Sequence, residues 1–116
     1  LEVLGNGRQE KSYMEVVDCA RAMLHLTEST NESVNCYNLG TDDTCSVRRI
    51  AEIVIEEIGF DDVNIEYTGG DRGWAGDVPK TMLDPTILFN TGFTPAFNSE
   101  ESIRHTAATL IQEIGI

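Results

Sequence analysis

The chain has 116 residues, enough for one domain with a core of its own and not for two. An apolar fraction of 41% and a charged fraction of 24% match a folded globular protein and exclude a disordered chain, a collagen-like repeat and a coiled coil. Eight Lys and Arg against twenty Asp and Glu leave a net charge of −12, which disfavours non-specific binding to nucleic acid or to an anionic membrane; an anion would be held only where a few basic residues converge.

No apolar run approaches the ~20 residues needed to span a bilayer, and no charged-then-apolar leader opens the chain. The sequence starts on Leu1 rather than Met, which reads as a processed N-terminus or the tail of a longer protein. Three cysteines, Cys19, Cys36 and Cys45, are odd in number and lack metal-ligand spacing, which reads as a reduced, cytoplasmic chain.

Leu1 to Leu4 reads as a short strand ended by the turn Gly5-Asn6-Gly7, and Arg8 to Met14 continues as a second extended segment. A helix is predicted within Val16 to Leu26. Its apolar positions cover most of the circumference, the pattern of a helix buried on more than one side, which a small lone domain does not readily achieve. Val34 to Leu39 reads as a strand stopped by Gly40. Ser46 is a candidate N-cap for a helix carrying Val47, Ile50, Ala51, Val54 and Ile58 at helical period and closed by Gly59. Val63 to Tyr67 is another strand candidate, followed by a loop over Thr68 to Lys80. Asp84-Pro85 starts a short helix that ends before Gly92. Ser99 is the expected cap of the last helix, whose buried stripe is Ile103, Ala107, Leu110, Ile111 and Ile114. The fold class is mixed α/β: three main helices with short strands, too few and too scattered for a complete doubly wound sheet.

Catalytic machinery is sparse. No glycine-rich phosphate loop follows a strand into a helix, and no Tyr-x-x-x-Lys occurs. His25 and His105 are isolated on helices, and the cysteines read as small buried hydrophobes. The loop Gly69 to Lys80 stands apart, with glycines, the only Trp and alternating charges. Glycines let a backbone approach a ligand, Arg72 offers a donor fork suited to a diphosphate, and Asp77 offers a carboxylate suited to sugar or ribose hydroxyls. The competing reading is a solvated surface loop whose Trp packs on the domain.

Four stretches, taken in order, resemble the C-terminal, substrate-binding part of the extended short-chain dehydrogenases/reductases, most closely the NAD-dependent nucleotide-sugar epimerases and dehydratases of UDP-glucose 4-epimerase type. They are Leu4 to Tyr13 with Val16-Val17-Asp18; Tyr37-Asn38-Leu39-Gly40 with Ser46-Val47; Asp71-Arg72 and Gly76-Asp77-Val78-Pro79 with Asp84; and Gly92-Phe93-Thr94-Pro95 with Glu101-Ser102-Ile103. The resemblance covers essentially the whole chain. It implies a single substrate-binding domain over residues 1–116, with the NAD-binding Rossmann domain and the catalytic Tyr-x-x-x-Lys in the family's N-terminal half. NAD is then a cofactor of the full-length enzyme only, and none is expected in this chain. In the family the helix within Val16 to Leu26 and the strand Val34 to Leu39 pack with the dinucleotide-binding domain, so the resemblance implies exposed apolar surface on Val17, Ala20 and Leu24, and with it self-association or marginal stability of the isolated chain.

Family roles carry over by position. Glu2, Val3 and Leu4 would lie near the base of a nucleotide-diphosphate sugar. Lys11 stands where the family has the Arg of Arg-Asp-Tyr, a diphosphate ligand; it keeps the charge and loses the bidentate fork. Tyr13 and Val47 would line the nucleotide site, Arg72 would hold the diphosphate and Asp77 the ribose. Trp74 and Ala75 widen the spacing between Arg72 and Asp77, and Thr81 falls where some members have an aromatic residue. Two other readings stay open: a different sugar-nucleotide reaction of the same superfamily, and a non-catalytic acidic binding module that reuses the fold.

Overall fold

The computed structural model describes residues 1–116. In chain order the elements are β1 (Glu2–Val3), β2 (Glu10–Lys11), α1 (Val16–Ser29), β3 (Cys45–Ser46), α2 (Val47–Ile58), β4 (Glu66–Tyr67), β5 (Lys80–Thr81), α3 (Thr86–Asn90) and α4 (Ser99–Ile114). β1 pairs in parallel with β4, placing Val3 beside Tyr67. In a second small sheet β2 is central, antiparallel to β3 and parallel to β5, with Lys11 opposite Cys45 and Thr81. β5 begins where the sequence reading leaves a loop.

Local chemistry sets the helix ends. Glu15 caps α1, its carboxylate accepting the N–H of Val17 at 2.6 Å and of Asp18 at 3.2 Å. Ser46 caps α2 as expected, accepting Arg49 N–H at 3.1 Å, and Gly59 closes it at φ 81°. The N-cap of α4 is Asn98 rather than Ser99. Asn98 and Glu101 form a reciprocal capping box. Ser99 is buried and serves instead as a junction, its Oγ accepting Tyr13 N–H at 3.0 Å and bonding Thr41 Oγ1 at 2.7 Å. α3 starts one residue later than expected, with Asp84 accepting both the N–H and the hydroxyl of Thr86.

The core is divided. Ala22, Leu88 and Phe93 form one buried cluster, with Met14, Leu26, Leu39 and Phe89 packed on it. The other lies where α2 packs on α4 and buries Ile53. Fully buried Asp18 fastens α1 to the segment before α4, its Oδ2 accepting Ala96 N–H at 2.8 Å and Phe97 N–H at 3.2 Å. The shape is flat, 53 × 33 × 18 Å. The radius of gyration of 16.6 Å exceeds the about 13 Å expected of a compact domain this long.

That openness shows in α1, which runs three residues past Leu26. Val16, Val17, Met23 and Leu24 are each more than half exposed, and Ala20 is exposed with them. The sequence expectation for Val17, Ala20 and Leu24 is thus observed. Three further expectations fail. Val34 to Leu39 forms no strand: neither sheet contains it, and Val34 is 85% exposed. A strand needs a hydrogen-bonding partner, and no edge within these residues supplies one. Cys36 is exposed for the same reason, rather than a buried hydrophobe. The stripe of α4 is buried only toward its start. Leu110 and Ile114 are exposed because the 16-residue α4 outruns the 12-residue α2 beneath it.

Candidate functional site

Of the clefts in the structure the largest, about 420 Å³, is also the most apolar. It is lined by residues 1–4, by Gln9, by one face of α2 (Val47, Ile50, Ala51, Val54) and by Gly73, Trp74 and Asp77 of the long loop. Its size is that of a small-molecule site, with mostly apolar walls and a few polar groups among them. The α2 stripe read from the sequence therefore has two fates. Ala51 is buried, while Val47, Ile50 and Val54 are half-buried and form a wall of this groove.

The turn over residues 5–9 shapes the groove. Gly5 has φ 85°, and the Gln9 amide lies directly against it, where a Cβ would stand. Gly7 has φ 76° and carries the Tyr67 ring on its bare face. The Gly7 and Gln9 carbonyls accept the first N–H groups of α2, from Arg48 at 2.9 Å and Val47 at 2.8 Å. With Arg49 N–H taken by Ser46, the start of α2 has no free donors there for an anion.

Charge enters through one pair. Lys11 Nζ lies 2.8 Å from Asp77 Oδ1, joining β2 to the loop across 66 positions of sequence. Asp77 is 8% exposed, and its other oxygen accepts Gly73 N–H at 3.1 Å. These contacts, that of the Lys11 ammonium first, hold the Asp77 carboxyl below the usual carboxylate range, and the same hydrogen bond raises Lys11. Asp77 N–H in turn donates to Trp74 O at 3.0 Å, closing a tight turn over Trp74 to Asp77. Next to this pair Gln9 is 2% exposed. Its Nε2 donates to Leu4 O at 3.0 Å, and its Oε1 has no hydrogen-bond partner.

The residues singled out from the sequence divide accordingly. Glu2, Val3, Leu4, Val47 and Asp77 line the groove, and Lys11 reaches it through Asp77. Tyr13, two residues beyond Lys11, is half-buried outside the lining, with its hydroxyl pKa raised by burial. Arg72 is not brought to the groove; its side chain is 52% exposed and lies 4.0 Å from Asp71. The other seven lining residues, Gln9 and Trp74 among them, were assigned no site role. Gln9 was legible in part, since it stands two residues before Lys11 on an extended segment and so shares its face.

The remaining polar clusters are structural. His25 bonds the backbone and hydroxyl of Thr91, and His105 stacks on Phe97 with ring centroids 4.9 Å apart. No group of three or more His, Cys, Asp or Glu is placed to hold a metal ion. The turn over residues 5–7 leads into β2, not into a helix; Gly5 N–H donates to Thr68 Oγ1, and the Gly5 and Gly7 carbonyls accept the N–H groups of Gly69 and Arg48. No helix is long and apolar enough to cross a membrane.

No protein-family model matches the chain. It is 30% identical over 102 residues to a candidate UDP-glucose 4-epimerase of Methanocaldococcus jannaschii, covering 88% of this chain and 31% of that protein. It is 25% identical over 108 residues to GDP-L-fucose synthase 1 of Arabidopsis thaliana, covering 90% of this chain and 31% of that protein. Among solved structures it is similar to a UDP-galactose 4-epimerase, at 30% identity and a TM-score of 0.80 over 98% of this chain and 35% of the other. A second is the UDP-glucose 4-epimerase of Thermotoga maritima with UDP-glucose, at 25% identity and a TM-score of 0.79 over the same shares. The chain thus spans about a third of the length of the proteins it matches. Its homologues and structural neighbours are UDP-glucose 4-epimerase-like proteins of the NAD-dependent epimerase/dehydratase family, and the chain resembles the C-terminal part of those Rossmann-type enzymes.

Proposed function

We propose that residues 1–116 form the part of an NAD-dependent nucleotide-sugar epimerase or dehydratase that grips the substrate, and that they carry out no chemistry alone. One observation carries this reading: the cleft of about 420 Å³ draws together Val3, Leu4, Val47 and Asp77 from distant parts of the sequence, with Lys11 tied to Asp77. In this reading the base enters the apolar part of the groove beside residues 2–4, Asp77 accepts hydroxyls of the ribose, and Lys11 attracts the diphosphate. Arg72 joins the diphosphate by a swing of its exposed side chain. Tyr13 completes the nucleotide side. The grip contributes to catalysis by spending remote binding energy on the orientation of the sugar.

The NAD site and the Tyr-x-x-x-Lys belong, in this proposal, to a Rossmann domain outside these residues. The bare face of α1 and the unpaired segment 34–39 support it, because both have the character of surface that packs on a further layer. The test is calorimetric titration of UDP-glucose and GDP-mannose into the protein made from its complete gene. Binding of one of them, abolished in Lys11→Ala and Asp77→Ala proteins that remain folded, is the expected result. Absence of binding by any nucleoside diphosphate sugar overturns the reading and leaves a non-catalytic interaction module in its place.

A further inference from the structure

Trp74 is the only tryptophan in the sequence and one of its most exposed large side chains, 67% accessible. An indole left in water at a loop tip forfeits the burial that normally holds it. Here it is nevertheless fixed. Its backbone carbonyl accepts Asp77 N–H at 3.0 Å, and the six-membered part of the indole lies against Gly76. A Cβ at position 76 would occupy the space of the ring, so glycine there is what lets the indole lie down on the turn. Asp77 is itself anchored by Lys11 and by Gly73 N–H. The indole therefore lies on the same turn that carries Asp77, and it lines the groove together with Leu4, Ile50 and Val54.

A groove with an aromatic plane and aliphatic walls suits a flat heterocycle. We infer that Trp74 is the base-stacking residue of this site: its indole face packs on the nucleobase of a nucleoside diphosphate, while Asp77 on the same turn takes the ribose. The inference rests on the nucleotide-binding reading above and adds a residue to which that reading gives no role. Stacking tolerates any base, so the residue supplies affinity rather than a choice between uracil and guanine.

The test is the dissociation constant of UDP, by calorimetry, for the protein from its complete gene and for its Trp74→Ala, Trp74→Phe and Asp77→Ala forms, with folding checked by circular dichroism. Trp74→Ala is expected to weaken UDP by about 5- to 150-fold, the range for loss of one base–aromatic stack. Trp74→Phe is expected to retain most of the affinity. Nuclear Overhauser contacts between uracil H5 or H6 and indole ring protons, absent in Trp74→Phe, give a direct readout independent of the folding of the alanine variant. If Trp74→Ala binds UDP as the parent does, or phenylalanine fails to restore binding, or the contacts are missing, the stacking role falls while Asp77→Ala still reports on the site. If the parent binds no nucleoside diphosphate, both readings fall together.

Discussion

Asp18 is 1% exposed and lies in the first turn of α1, yet its carboxylate works at a distance: Oδ2 accepts the N–H groups of Ala96 and Phe97, about eighty residues away. Oδ1 pairs with Arg21 at 2.6 Å, and the Arg21 side chain is half exposed. Replacing Asp18 with alanine removes two hydrogen bonds to a charged acceptor, at about 1.5–3 kcal/mol each, for an upper range of about 3–6 kcal/mol. Ala96 is exposed, so water reaches the freed donors, and the expected loss falls to the lower end of that range and somewhat below it, about 2–4 kcal/mol. Asp18→Asn keeps an oxygen for both N–H groups and turns its amide toward Arg21, which swings into solvent; the expected loss is about 1 kcal/mol. With a urea slope of about 2 kcal/mol/M, the midpoints fall by about 1–2 M and about 0.5 M respectively. Equilibrium urea unfolding at neutral pH measures both. A loss under about 0.5 kcal/mol for alanine, or equal losses for the two variants, would refute the argument that these two bonds fasten α1 to α4.

The acid limb of stability carries a signature of the groove. Asp77 is held low by Lys11, so its contribution is complete above the unfolded carboxyl value of about 3.9 and disappears as pH falls through its lower folded value. Carbon-13 titration of the Asp77 carboxyl is expected to show a depressed midpoint that rises toward the ordinary value in Lys11→Met. Glycine substitutions separate backbone strain from steric conflict. Gly59→Ala, at φ 81° with nothing within 4 Å, is expected to cost about 1 kcal/mol. Gly7→Ala, which meets the Tyr67 ring as well, should cost clearly more in the same unfolding assay. Arg49 bridges α2 to α4 through Glu100 at 2.7 Å and also pairs with Glu56 and Glu52. Arg49→Ala is expected to lower the thermal midpoint in dilute buffer, and the difference should shrink in 1 M salt, where screening acts over about 3 Å.

Much of this molecule is written locally. Ser46, Gly59 and the period of α2 can be read in a single window, because caps and helical faces depend on residues three or four apart. The resemblance carried by Lys11, Asp77 and the motifs around them also survives in sequence alone, since it rests on order and spacing. Tertiary structure decided what depends on partners far along the chain. Val34 to Leu39 has the composition of a strand and forms none, because no strand edge lies beside it. Ser99 has the chemistry of a cap but is drawn into a junction with Tyr13 and Thr41, while Asn98 takes the cap. Arg72 has the chemistry of a phosphate ligand and lies outside the groove, whereas Gln9, Ile50 and Trp74 enter it through folding. The sequence thus determined which residue types are available and which segments become helices. The fold decided which of them meet, because a groove is built from contacts across more than sixty positions and no local rule fixes such contacts.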